Sequence, residues 1–131
     1  MLEKAYENKI KNELKKAGAY FVKYFGCSFT QAGVPDILSC VRGYFLAIEV
    51  KNEKGKLSDL QKKNIFEIKK CGGIGIVCRP DDFENVKRII TCLVLNDVYQ
   101  AKQIASEINC KYLWYILENS KNLFEFSKKL Y

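Results

Sequence analysis

The stretch "GVPDILSCVRGYFLAIEVKNEKGKLSDLQ", residues 33–61, decides the fold. Two runs rich in apolar and β-branched residues, Ile37 to Val41 and Tyr44 to Val50, flank Arg42-Gly43 and read as paired strands. If Arg42-Gly43 is a two-residue hairpin turn, Val41 opposes Tyr44, and the same register carried down the ladder puts Asp36 opposite Glu49. Directly opposed residues share a face, with Cβ atoms about 4.5–5.5 Å apart. Alternation along the strand adds Lys51 to that face. Arg-Gly is not the favoured Asn-Gly turn, so a bulge that slips the register by one is the competing reading. The opposite face, Tyr44, Leu46, Ile48 and Val50, is a core stripe. On the charged face, Phe45 and Ala47 keep the strand covered until it nears its end. Two carboxylates meeting at that rim repel each other. A divalent cation between them removes the repulsion, and oxygen ligands of this kind suit magnesium or manganese. Lys51 beside them can orient a water or hold a phosphate oxygen as a point charge. The plainer reading makes Glu49–Lys51 a surface ion pair and Pro35-Asp36 a turn.

Working outward, Leu2, Tyr6, Ile10 and Leu14 recur every four residues, an amphipathic helix ending at Gly18. Ala19 to Phe25 reads as a strand, and Gly26 to Val34 as a loop. After the hairpin, "NEKGKL" leads to a helix from Ser58 to Cys71, stopped by Gly72-Gly73. "IGIVC", residues 74–78, is another strand. "RPDDFENVKRII", residues 79–90, opens a helix with Pro and acids at its positive end. The order is αβββαβα, an α/β fold. Beyond Leu95 the chain reads as helical, with "KYLWYIL", residues 111–117, as helix or edge strand. The expected division is a core of residues 1–95 and a C-terminal extension, 96–131, packed on the same domain.

With 131 residues the chain has the length of one domain with one core. The longest apolar run, near Ile89 to Leu95, is too short to span a bilayer. The first residues, "MLEKAYENKIKNELKK", mix charge into every turn, unlike a signal peptide. A cytoplasmic protein is expected. The six cysteines lack the close pairing of a zinc site, and several sit in apolar runs, which reads as buried free thiols in a reducing compartment. Histidine is absent, which excludes Ser-His-Asp and Cys-His catalysis. Any catalysis must run on carboxylates, lysines, hydroxyls or a metal held by oxygen. The net charge of +7 is uneven: residues 1–30 carry six Lys against three Glu, and residues 51–71 seven Lys against three acids. Two basic segments flanking an acidic pair suit an anionic partner such as nucleic acid. Two solvated helix faces would look the same.

At these residues the sequence resembles the PD-(D/E)xK nuclease superfamily. "PDIL" supplies Pro35-Asp36, and "EVK" supplies Glu49-Val50-Lys51. It looks most like the virus-type replication-repair nuclease (VRR-NUC) domains of phage and repair proteins, over about residues 3–90. "GVPD" matches that family's G-x-PD, "GKLSDLQ" its G-x-x-S-x-x-Q segment, and "CGG" its helix-ending glycines. The resemblance implies a restriction-endonuclease-like αβββαβ core with a mixed sheet flanked by helices. It implies a metal-dependent DNA endonuclease on branched DNA such as four-way junctions, working as a homodimer with Mg2+ or Mn2+. A nicking or restriction-type nuclease without structure selectivity, or a non-catalytic nucleic-acid-binding module, is the alternative. Asp36 and Glu49 would ligate the metal with the Val50 backbone carbonyl, and Lys51 would position and activate the attacking water. Glu7 would reach the site through water or a second ion. Gln61 matches a family active-site position, and Ser58-x-x-Gln61 is also a capping box. Gly33 would let the backbone approach the phosphodiester, and Lys23 is a candidate phosphate contact. Ser58, Lys62 and Lys63 complete the expected DNA-binding set. No membrane and no zinc are expected.

Overall fold

A computed structural model of the protein describes residues 3–110. Helix α1 (Glu3–Lys16) forms as its spacing requires, with Tyr6, Ile10 and Leu14 buried on one face. It ends where Gly18 takes a positive φ of 71° and Ala19 N–H donates back to the Leu14 carbonyl. Strand β1 (Tyr20–Lys23) is shorter than the expected 19–25. Its ladder ends at the Lys23–Ile37 pair, one further bond joins Tyr24 N–H to the Asp36 carbonyl, and the chain then turns away with Phe25 exposed.

Strands β2 (Ile37–Val41) and β3 (Tyr44–Val50) have the bounds read from the sequence. Their register runs from Val41↔Tyr44 to Ile37↔Ile48, so no bulge intervenes. Arg42 and Gly43 have φ of 52° and 89°, both positive, as the turn that matches strand twist in a tight hairpin requires. Helix α2 (Asp59–Lys70) then crosses over to strand β4 (Ile74–Cys78), which lies parallel to β3. The sheet order is β1-β2-β3-β4, mixed, with three antiparallel strands and one parallel. Pro80–Asp82 form a turn of 3-10 helix ahead of α3 (Phe83–Val94), so the expected helix opens in a tighter turn, with Asp82 buried.

Alternation sorts the sheet into two cores. Ile37, Val41, Leu46, Ile48, Val50 and Ile76 pack with α1, α3 and α4 (Val98–Asn109) in the larger one. Leu57, Ile65 and Val77 make a smaller one beneath α2. Two expectations along β3 need correction. Tyr44 is half-buried because its hydroxyl reaches out to donate to Asn96 Oδ1 at 2.7 Å. Phe45 is 43% exposed, since it lies by Gly73 at the far end of α2, and only Ala47 and Glu49 are fully covered. The cysteines are also corrected. All six are free, but Cys27, Cys40, Cys71 and Cys110 are exposed and only Cys78 is buried, because the others fall on outward strand positions, loops and helix ends. Helix α4 buries Ala101, Ile104, Ala105 and Ile108; "KYLWYIL" lies outside the described residues. Among the described residues no helix is long and apolar enough to cross a membrane.

Candidate active site

The hairpin register delivers Asp36 and Glu49 to one end of the sheet, each one residue past the last antiparallel pair, Ile37↔Ile48. Asp36 Oδ2 accepts from the Val50 backbone N–H at 2.9 Å, so the aspartate closes the ladder that its own strand no longer pairs. The groups around the two acids come from different sides of the sheet.

On the α1 side the charges alternate. Lys23, the last residue of β1, donates from Nζ to Glu7 Oε1 at 2.6 Å and to Asp36 Oδ1 at 3.2 Å. Glu7 Oε2 also meets Lys11 Nζ at 3.0 Å, one helical turn on. Burial would push the Glu7 carboxyl up, but hydrogen bonds and charge from Lys23 and Lys11 outweigh it and hold Glu7 below the usual range. Burial likewise opposes the charge on Lys23, and Glu7 and Asp36 outweigh it and raise Lys23. An open cavity of about 440 Å³ runs beside this cluster, lined by Glu7, Lys11, Lys23, Phe25, Asp36 and Val50 among others.

The α2 side is built differently. Glu49 has a side chain only 4% exposed. Gln61 Nε2 donates to Glu49 Oε1 at 3.0 Å, and Lys51 Nζ stands 3.9 Å from the same oxygen. Burial, and then the charge of Asp36 beside it, push Glu49 up to about 8, against the pull of Lys51. Gln61 works at both ends of its amide. Its Oε1 accepts from Ser58 N–H while Ser58 Oγ accepts from Gln61 N–H, a complete capping box. The capping box and the bond to Glu49 are therefore made by one side chain.

The remaining expected residues fall further off. Ser58 is the exposed N-cap of α2. Lys63 is exposed on α2, whereas Lys62 is half-buried beside Leu57 and Phe66, and burial lowers its pKa. Gly33 has a structural reason to be glycine that needs no DNA. Its φ is 82°, and a Cβ there would stand 2.7 Å from Leu60 atoms on α2. Lys23, the expected phosphate contact, is bound to two acids, Glu7 and Asp36.

Four residues escaped the sequence reading. Lys11 had a signal, its i+4 spacing from Glu7. Glu3, Asn52 and Arg79 had none, since they meet only through the fold: Asn52 N–H donates to Glu3 Oε1 at 3.1 Å, and Arg79 Nη1 donates to the Asn52 carbonyl at 2.8 Å.

Among the described residues no cluster of three or more His, Cys, Asp or Glu is arranged to hold a metal ion. The set at the rim is two carboxylates, Asp36 and Glu49, with Glu7 held by its lysines. Magnesium commonly binds through one or two carboxylates and keeps several waters, so this donor set fits it. The buried, under-compensated carboxyl of Glu49 is the place where a cation would be welcome.

The family model of the VRR-NUC domain matches residues 2–82. No curated protein sequence matches closely enough to count as a relative. Among solved structures the chain is similar to Hjc of Archaeoglobus fulgidus, a Holliday junction resolvase from an archaeal hyperthermophile. Identity is 26% and the TM-score 0.46, over 58% of this chain and 66% of that one, so the chain spans just under two thirds of the resolvase.

Proposed function

We propose that this chain, which belongs to the VRR-NUC domain family, is a divalent-metal-dependent endonuclease that hydrolyses DNA phosphodiester bonds in branched DNA. The family makes it a nuclease domain. The observation that carries it is the meeting of Asp36, Glu49 and Lys51 at one strand end, with Gln61 bound to Glu49.

Asp36 and Glu49 would hold Mg2+ or Mn2+ with the Val50 carbonyl beside them. When bound, the ion supplies charge stabilisation at the phosphate and a nucleophilic hydroxide at neutral pH. Lys51 holds and orients the attacking water through Nζ. Gln61 fixes the Glu49 carboxyl so that one oxygen keeps its direction. Glu7 keeps Lys23 in place beside Asp36. The DNA backbone is met by the basic surface of a chain with net charge +7, including Lys63. The resemblance to small VRR-NUC nucleases supports branched DNA and a homodimer, because two symmetry-related strands call for two sites.

Linear, flapped and four-way DNA incubated with magnesium, with manganese and with EDTA test the reading. The expected result is metal-dependent cutting that favours the branched substrates. Equal cutting of all three would make it a nicking or restriction-type enzyme. Binding without any cutting would leave a nucleic-acid-binding module and sink the proposal.

A further inference from the structure

Asn52, the residue directly after Lys51, is held from three directions. Its N–H donates to Glu3 Oε1 at 3.1 Å, from the first turn of α1. Its carbonyl accepts from Arg79 Nη1 at 2.8 Å, from the junction between β4 and α3. Its own Oδ1 accepts from Lys54 N–H at 3.0 Å and from Gly55 N–H at 2.5 Å, folding "NEKG" back on itself. The fold-back places Gly55 over the stem of Lys51: a Cβ at 55 would lie 3.3 Å from Lys51 Cδ and 3.1 Å from Asn52 Oδ1. Arg79 is itself anchored, since its N–H donates at 3.1 Å to Asp82 Oδ2, a carboxylate only 1% exposed. Lys51 N–H is bonded to the Cys78 carbonyl at 3.0 Å, so the backbone on both sides of this lysine leans on the same stretch, Cys78-Arg79.

We propose that Arg79 is a positioning residue for Lys51: by gripping the Asn52 carbonyl it fixes the start of the 52–57 loop, and with it the direction in which the Lys51 ammonium points. Lysine has a flexible four-carbon stem, so its head is placed only as well as its backbone and the walls of its stem are. Arginine suits the task because its planar, always charged fork spans the gap to a carbonyl and keeps a fixed geometry. The inference rests on the nuclease reading.

Three variants serve, Arg79→Ala, Arg79→Lys and Asn52→Ala. Single-turnover cleavage is measured at saturating protein, DNA affinity without cleavage in EDTA, and loop opening by trypsin cutting after Lys54 and Lys56. The expected result for Arg79→Ala is a rate loss of about 10- to 100-fold, the scale of a misplaced catalytic group. DNA affinity should be unchanged, and tryptic cutting in the loop faster. Asn52→Ala, which alters no charge, should reproduce the rate loss, and Arg79→Lys should restore part of it. Weaker DNA binding with a salt slope reduced by about one would make Arg79 a phosphate contact and overturn the proposal. A lower melting temperature with an unchanged rate below it would make Arg79 merely structural and overturn it too. If the wild type cuts no DNA, the nuclease reading fails. Trypsin then still decides whether Arg79 holds the loop, and unchanged cutting in Arg79→Ala means that it does not.

Discussion

The two sides of the site solve the same problem, a carboxylate out of water, in opposite ways. Around α1, Lys11, Glu7, Lys23 and Asp36 form an alternating row of charges in which each acid touches at least one ammonium within 3.2 Å. Beneath α2, Glu49 is more deeply buried, receives a neutral amide from Gln61, and has its nearest ammonium at 3.9 Å. Glu7 is held acidic and Glu49 is pushed up to about 8. Within that row Glu7, held between two ammonium groups, gains little from another cation, whereas Asp36 has one ammonium and also faces Glu49. An under-compensated buried carboxyl would gain more from a cation.

The hardest test of that contrast is to remove one ammonium from each side. Lys51→Ala should lower single-turnover cleavage by at least about 100-fold, the scale of a lost proton-handling group, while DNA affinity stays within about twofold. Lys23→Ala should instead act first on stability, since it leaves Glu7 and Asp36 facing each other without their shared counter-charge. If the two variants lose cleavage and stability in equal measure, the two sides are not different in kind.

Acidity and metal sharpen the comparison next. A carboxyl raised in the folded state is neutral in both states at low pH and stays neutral longer in the fold. The metal-free protein should therefore lose stability as pH rises from about 4.5, the ordinary value, through about 8. Glu49→Gln should flatten that slope in a thermal melt, and Glu7→Gln should not. Manganese at a hundredfold excess over its dissociation constant should add about 2.7 kcal/mol to the wild type by mass action and much less to Asp36→Asn. Without metal, Asp36→Asn should melt at or above wild type at pH 9, where it relieves repulsion. At pH 5, where only the Lys23 contact is lost, it should melt at or below wild type. A manganese shift equal in both proteins would remove Asp36 from the site.

The amide of Gln61 separates local from long-range work. Ser58→Ala should cost about 1 kcal/mol in denaturant melts, an ordinary N-cap loss, with the pH slope intact. Gln61→Ala should cost more and carry the loss of stability to higher pH, because Glu49 loses its only neutral donor among the described hydrogen bonds. The smallest effect expected is on salt. Lys63→Ala should make the DNA-binding salt slope shallower by about one, whereas half-buried Lys62 should change it less.

The hairpin was legible because it is local: two residues of turn set the whole register from Val41↔Tyr44 to Ile37↔Ile48, and the alternation then placed both acids. The capping box of α2 was legible for the same reason. What the sequence could not reveal was how the acids are neutralised. Lys23 reaches Asp36 from β1, across a loop with no tight turn to set the pairing, Asn52 lies 27 residues from Arg79, and only packing decides that they meet. Gly33 shows the converse, a position read as open to DNA whose neighbour is Leu60 of the chain itself. Exposure of the cysteines was misread because apolar neighbours in sequence say little about which side of a strand or which end of a helix a residue takes.

That difference in range has a consequence for how the chain folds. A hairpin closes in about 1–10 μs, sooner than contacts that must wait for helices to dock. The tight turn at Arg42-Gly43 thus lets the ladder zip from Val41↔Tyr44 down to the Asp36–Glu49 end before β1 pairs to bring Lys23 or α2 docks to bring Gln61. Early folding here works against a repulsion that the finished protein has partly neutralised. Refolding should accordingly run faster at pH 5 than at pH 8 in stopped-flow experiments, and Glu49→Gln should erase the difference; a hairpin that forms last would show neither.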